Sequence, residues 1–205
     1  MKNKAKQAVK AYRDAYVESA RKIAVIRANT DLTAEAKQAR IDKLKKEHDA
    51  VAMSLRNEAV EAVNLLNQGI KNKRVKDIQE GLKQAEAINL ICTGIKDGSY
   101  SEGTLKEIIQ ANSGNRIALE SIKGALMSTG KEDMIVIGAG IPVSNSERVT
   151  RNLDRCVDNL NHVPDVANND VQDWNSALYR SGHSFDNMME YIEGISDDIT
   201  DDIAD

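Results

Sequence analysis

An all-α fold is predicted by two long apolar seams and by the nature of the apolar residues. Ala5, Val9, Tyr12, Tyr16, Ser19, Ile23 and Ile26 recur in steps of three and four, the spacing of a helix-packing face. A second stripe of the same kind follows from Ile41. Of the 205 residues 41% are apolar, yet only seven are aromatic, which suits narrow Ala/Ile/Leu seams better than a core of bulky side chains. The expected architecture is a long antiparallel helical hairpin or coiled coil, then a smaller multi-helix globular half with at most one short strand. Residues 1–97 and 98–205 are the expected domains.

The first helix should run from near Lys4 to Ala28, ended by Asn29-Thr30-Asp31-Leu32-Thr33, whose side chains favour turns and caps. Thr33 is the expected cap of helix two. That helix carries Ile41, Leu44, His48, Val51, Leu55, Ala59, Ala62, Leu66 and Ile70 and should end near Gly69, roughly 55 Å along at 1.5 Å per residue. The short connection favours an antiparallel pair. Such a hairpin is too slender to bury its stripes alone, so a third helix or a second subunit must cover them. The expected self-association seam is Val9, Tyr12, Tyr16, Ile23, Ile26, Ile41, Leu44, His48, Val51 and Leu55.

A third helix is expected from Val75 through Ile78, Leu82, Ala85, Ile88, Cys92 and Ile95, ending between Gly94 and Gly98. Lys71-Asn72-Lys73-Arg74 reads as a solvated turn before it. Beyond Gly98, glycines at 103, 114, 124, 130, 138 and 140 separate shorter helices near 104–112 and 115–128, a texture that suits a compact globule.

Met134-Ile135-Val136-Ile137 is the one strand-like run. Gly138-Ala139-Gly140 follows, but Val143 and Pro142 break the G-x-G-x-x-G pattern of a dinucleotide loop, and no βαβ alternation surrounds it. The segment reads instead as a buried or partner-facing loop. Ser144 or Ser146 can cap the next helix, which carries Val149, Leu153, Cys156, Val157 and Leu160 before Pro164. Asp170 can cap another with Trp174 and Leu178, ended at Gly182. A final helix presents Phe185, Met188, Met189, Ile192, Ile195, Ile199 and Ile203 on one face.

The net charge of −4 hides two poles. Residues 1–50 hold 13 Lys/Arg against 7 Asp/Glu, whereas residues 185–205 hold 8 Asp/Glu and no Lys/Arg. Such ends can pair with each other between copies or engage separate partners, with contacts that weaken in salt. No signal-peptide core is visible, and the apolar run Met134 to Val143 is shorter than the roughly 20 residues a bilayer requires, so a soluble cytoplasmic protein is expected.

Cys92 and Cys156 stand far apart and are expected as reduced, buried thiols. His48, His162 and His183 share no ligand motif. Asp197-Asp198 and Asp201-Asp202 could attract calcium or a basic partner, but a continuous helix cannot wrap oxygens around calcium. No nucleophile elbow, P-loop or catalytic dyad is present. Catalytic, metal and cofactor-binding residues are therefore all expected to be none.

Trp174, Tyr179, Arg180, Phe185, Met188, Met189 and Tyr191 form a cluster of typical interface anchors, although the sequence favours their closing the core of the small globular half. With Asp197, Asp198, Asp201 and Asp202 they make the expected partner-binding set.

In texture, mainly over residues 1–95 and including Asp31-Leu32-Thr33-Ala34-Glu35-Ala36-Lys37 and Arg40-Ile41-Asp42-Lys43-Leu44, the chain resembles small helical accessory proteins of tailed bacteriophages, scaffolding and virion-assembly proteins among them. The resemblance implies a non-enzymatic structural role through helix self-association and protein partners, in the host cytoplasm or the virion. The acidic C-terminus departs from the basic coat-binding helix such scaffolds often carry, which keeps other capsid-associated roles open. The competing expectation is a monomeric anti-defence or regulatory inhibitor that offers its acidic terminal helix to a nucleic-acid-binding host protein. Direct DNA binding through Lys2, Lys4, Lys6 and Lys10 ranks last, given the acidic total.

Overall fold

The computed structural model describes residues 1–143, 146–163, 166 and 185–200, and these form helices joined by turns, with no strand among them. The helices are α1 (Lys2–Ala28), α2 (Ala34–Lys83), α3 (Ala85–Lys96), α4 (Glu102–Ala111), α5 (Arg116–Ser128), α6 (Glu132–Ala139) and α7 (Ser146–Asn161). Helical residues 185–193 (α8) and Asp197–Thr200 (α9) close the described chain. The fold is all-α. The expected helix with Trp174 and Leu178 lies outside the described residues.

By contacts the chain divides into Met1–Gly69 with Glu147–Asp205, and Ile70–Ser146. This is not the 97/98 division that the glycine texture suggests. The C-terminal helices bring their apolar stripes back to the N-terminal hairpin, whereas α3 packs on α5 and α5 on α6; sequence proximity carries no record of either return.

In the first unit α1 and the early part of α2 form an antiparallel hairpin. Thr33 caps α2, its Oγ1 accepting from the Ala36 N–H at 3.2 Å, and Asn29 Oδ1 accepts from the Asp31 N–H at 2.8 Å within the turn. Lys37 Nζ then donates to the Arg27 carbonyl at 3.0 Å, and further along Ser19 meets His48. Ala5, Val9, Tyr12, Tyr16 and Ile23 are buried on α1, and Ile41, His48, Ala59, Ala62 and Leu66 on α2. From α7 come the buried Leu153, Cys156 and Leu160, and Asn67 on α2 donates to Asp154 Oδ1 on α7 at 2.6 Å.

α2 does not stop at Gly69. It runs on to Lys83 through the basic stretch expected to be a turn, 50 residues from Ala34 in all and roughly 75 Å long at 1.5 Å per residue. One glycine costs only about 1 kcal/mol relative to Ala, while Lys, Arg and Gln are good helix formers. The break comes instead at Gln84, so the expected third helix is split between the end of α2 and α3.

The second unit is built around Ile95, Leu105, Leu119, Ile122, Ala125, Leu126 and Ile141. α3 ends in a Schellman motif, with the Ser99 N–H donating to the Gly94 carbonyl and the Gly98 N–H to that of Ile95. Gly98 takes φ +71°, a left-handed conformation that costs glycine little. Ser101 caps α4 and Asn115 caps α5 through their side-chain oxygens. The expected strand Met134–Ile137 lies inside α6. Its β-branched run is too short to decide between strand and helix, and Glu132 and Asp133 in the first turn favour a helix N-terminus. Gly138 lets α6 approach α5 closely: a Cβ there would sit 3.2 Å from Leu126 Cβ and 3.3 Å from Met127 Sδ.

Candidate functional site

The first unit assembles its most ordered set of charges where α1 meets the C-terminal segment 185–200. On α1, Lys2, Lys6 and Arg13 lie in steps of four and seven and so share one face. Opposite them, Arg13 Nε stands 3.0 Å from Asp186 Oδ1, Lys6 Nζ 2.5 Å from Glu193 Oε2, and Lys2 Nζ 3.1 Å from Asp197 Oδ1. From Arg13 back to Lys2 and from Asp186 on to Asp197 the chain advances equally, so the pairs are rungs of one antiparallel ladder. Lys2 Nζ also donates to the Ile195 carbonyl at 2.8 Å, satisfying an acceptor left where α8 ends. The Lys6 ammonium holds the Glu193 carboxyl below its ordinary range, chiefly by hydrogen bonding and then by charge.

Beneath the ladder the segment turns Phe185, Met188, Ile192, Ile195 and Ile199 inward, all at most 3% exposed. The Phe185 ring meets Tyr12 edge-on at 5.3 Å and lies tilted against Tyr16 at 6.1 Å. Burial raises the Tyr12 phenol pKa, and Arg56 partly offsets this. Tyr191 Oη donates to the Val149 carbonyl of α7 at 3.2 Å, and burial raises its pKa as well. Segment 185–200 thus acts as a strap across the hairpin.

The expected self-association seam is consequently occupied within the chain. Val9, Tyr12, Tyr16, Ile23, Ile41 and His48 are buried, and Ile26, Leu44 and Leu55 are half-buried. Val51 is the exception at 54% exposure: its position falls about 80° round the axis from Ile41 at 100° per residue, at the margin of the stripe. Of the expected partner-binding set, Phe185 and Met188 are core, Met189 and Tyr191 are half-buried, and Asp197 belongs to the ladder. Trp174, Tyr179, Arg180, Asp201 and Asp202 lie outside the described residues, as does the side chain of Asp198. Arg13, Asp186 and Glu193 are the members that the sequence reading leaves unassigned, while Lys2 and Lys6 enter it only as DNA-binding candidates. Their signal was present in the opposite charge of the two ends.

The second unit offers a different surface. Val75, Ile78 and Leu82 are 52%, 38% and 69% exposed and follow one another at helical steps of three and four along α2. They lie roughly a quarter-turn round the axis from Gly81, which packs so closely on α5 that a Cβ would sit 2.6 Å from Ile117 Cγ2. The basic neighbours Lys71, Lys73 and Arg74 all have interaction partners.

No known protein family, curated protein or solved structure matches this chain. Among the described residues no three His, Cys, Asp or Glu side chains converge where they could hold a metal ion. Cys156 is buried and its thiol pushed up to about 11; burial also raises the half-buried Cys92. Both stay protonated at neutral pH, and a thiol is a poor nucleophile in that form. Among the described residues no helix is long and apolar enough to cross a membrane.

Proposed function

We propose that this chain is a non-enzymatic structural or assembly protein of the tailed-phage virion type, working in the bacterial host cytoplasm or the virion through helix-to-helix self-association and protein partners. The observation that carries the reading is the Val75, Ile78 and Leu82 row on α2. An exposed apolar row at helical spacing suits another helix laid along it. The resemblance to phage accessory proteins supplies the biological setting, and the occupied α1 seam favours α2 over the hairpin as the proposed association surface.

Ile78→Asp tests it. The substitution falls on a partly exposed site, so the helical content of the chain should hold while its association weakens. By light scattering the expected mass falls toward the single-chain 22.5 kDa; an assembly of unchanged mass contradicts the reading. Ile23→Asp is a poorer probe, because Ile23 is 2% exposed and a charge there would disrupt the unit itself.

The inhibitor alternative, in which the acidic terminal helix occupies a host nucleic-acid site, has weaker support. Of the acids that reading uses, Asp197 already faces Lys2 of α1, and offering it elsewhere would break that rung; Asp201, Asp202 and the side chain of Asp198 lie outside the described residues.

A further inference from the structure

We infer that the packing of residues 70–83 of α2 on α5 is an acid-closing latch worked by the Asp77 carboxyl: ionised, it loosens the two helices, and protonated, it lets them close. The device lies within the second unit and does not rest on association through Val75, Ile78 and Leu82.

The seam is tight one turn along from Asp77. Gly81 packs on Ile117 so closely that a Cβ would sit 2.6 Å from its Cγ2, and further on Asn115 Nδ2 donates to Gln84 Oε1 at 2.9 Å. A step of four places Asp77 on the same face of α2 as Gly81. Its Oδ2 is buried there and has no hydrogen-bond partner among the described residues. The charged groups facing it are Lys73 and Glu80 on α2 and Arg116 and Glu120 on α5. Arg116 is engaged along its own helix, directing Nε and Nη2 to Glu120 Oε1 at 3.2 and 3.3 Å. Two cations and two carboxylates thus oppose one another around Asp77, and loss of water is the leading effect. Burial raises the Asp77 carboxyl above its ordinary range; Lys73 and Arg116 oppose the rise, and Glu80 and Glu120 add to it. A buried ionised oxygen without a donor costs free energy that the protonated group does not. The folded chain therefore holds this proton more tightly than the unfolded one. The seam gains stability as pH falls through the raised value, and the gain is complete below the ordinary one of about 3.9. Glu193, whose carboxyl is depressed, acts on the strap with the opposite sign, so the latch is read locally.

The test is hydrogen exchange of the α5 amides at 119–122 in the full-length chain, followed from neutral pH down to about 4 and corrected for the intrinsic rate. Protection in the parent should rise as pH falls, by no more than about tenfold per pH unit, the limit for one proton. Asp77→Asn carries no charge at any of these pH values; it should be better protected than the parent at neutral pH and should lose the acid rise. Glu120→Gln keeps the Asp77 carboxyl, removes a like charge from beside it and frees Arg116 to turn toward it, so the acid rise should shrink. This second variant decides the matter even where Asp77→Asn fails to fold. Parent protection that is flat or falls in acid overturns the latch, as does an acid rise of unchanged size in either variant.

Discussion

His48 and Ser19 show how one polar pair can sit in an apolar seam. The His48 Nδ1 and Ser19 Oγ are 3.0 Å apart, and the imidazole stands edge-on to Tyr16 at 6.0 Å. A polar contact at one level of a helix pair penalises sliding, because any other register separates the partners. Ser19→Ala should cost about 1 kcal/mol in urea unfolding by removing that partner, while Ser19→Ala with His48→Leu should regain most of the loss, since two apolar groups leave nothing polar to satisfy. Additive losses would mean that the two residues act separately. Phe185→Ala tests the strap's anchor: truncating a fully buried ring should lower stability by about 3–5 kcal/mol. Glu193 gives the strap a pH dependence. Its carboxyl is depressed in the folded chain, so its contribution is present above the ordinary value of about 4.3 and is lost as pH falls through the depressed one. Hydrogen-exchange protection of residues 188–193 should fall in that acid range, and Lys6→Met should remove the part due to this pair.

Glycines in α2 and α5 separate helix propensity from packing at the scale of elements. Gly124 has no atom within 4 Å of a Cβ placed on it, whereas Gly81 would drive a Cβ to 2.6 and 2.7 Å from the branched side chain of Ile117. Gly124→Ala should therefore stabilise by up to about 1 kcal/mol, as helix propensity dictates, and Gly81→Ala should destabilise despite the same propensity gain. Thermal unfolding of both variants decides it; equal gains would show that α2 and α5 part easily at Gly81. Local signals such as these helices and their caps were legible in the sequence: α1, the Thr33 cap and the short helices α4, α5 and α7 follow from periodicity, turn residues and caps. The run of α2 through Lys71-Asn72-Lys73-Arg74 was not, because a single Gly69 is a weak stop and nothing local marks Gln84 as the break. Nor was α6, whose Met134–Ile137 run satisfies strand and helix alike until its packing on α5 is known.

Long-range pairing decides the whole molecule, and that was the least legible level. The sequence shows that a bare hairpin needs cover and that the chain ends bear opposite charge. It does not show that the acidic end supplies the cover, because the partners in the ladder are more than 170 residues apart and their pairing appears only once the chain has folded back. Cover from within removes the original reason for self-association through Tyr16 and Leu55, leaving the exposed row on α2. Light scattering of the full-length chain over a hundredfold concentration range tests assembly most directly. The account predicts a mass that rises above 22.5 kDa with concentration and falls back with Ile78→Asp; a mass fixed at the single-chain value throughout would contradict it.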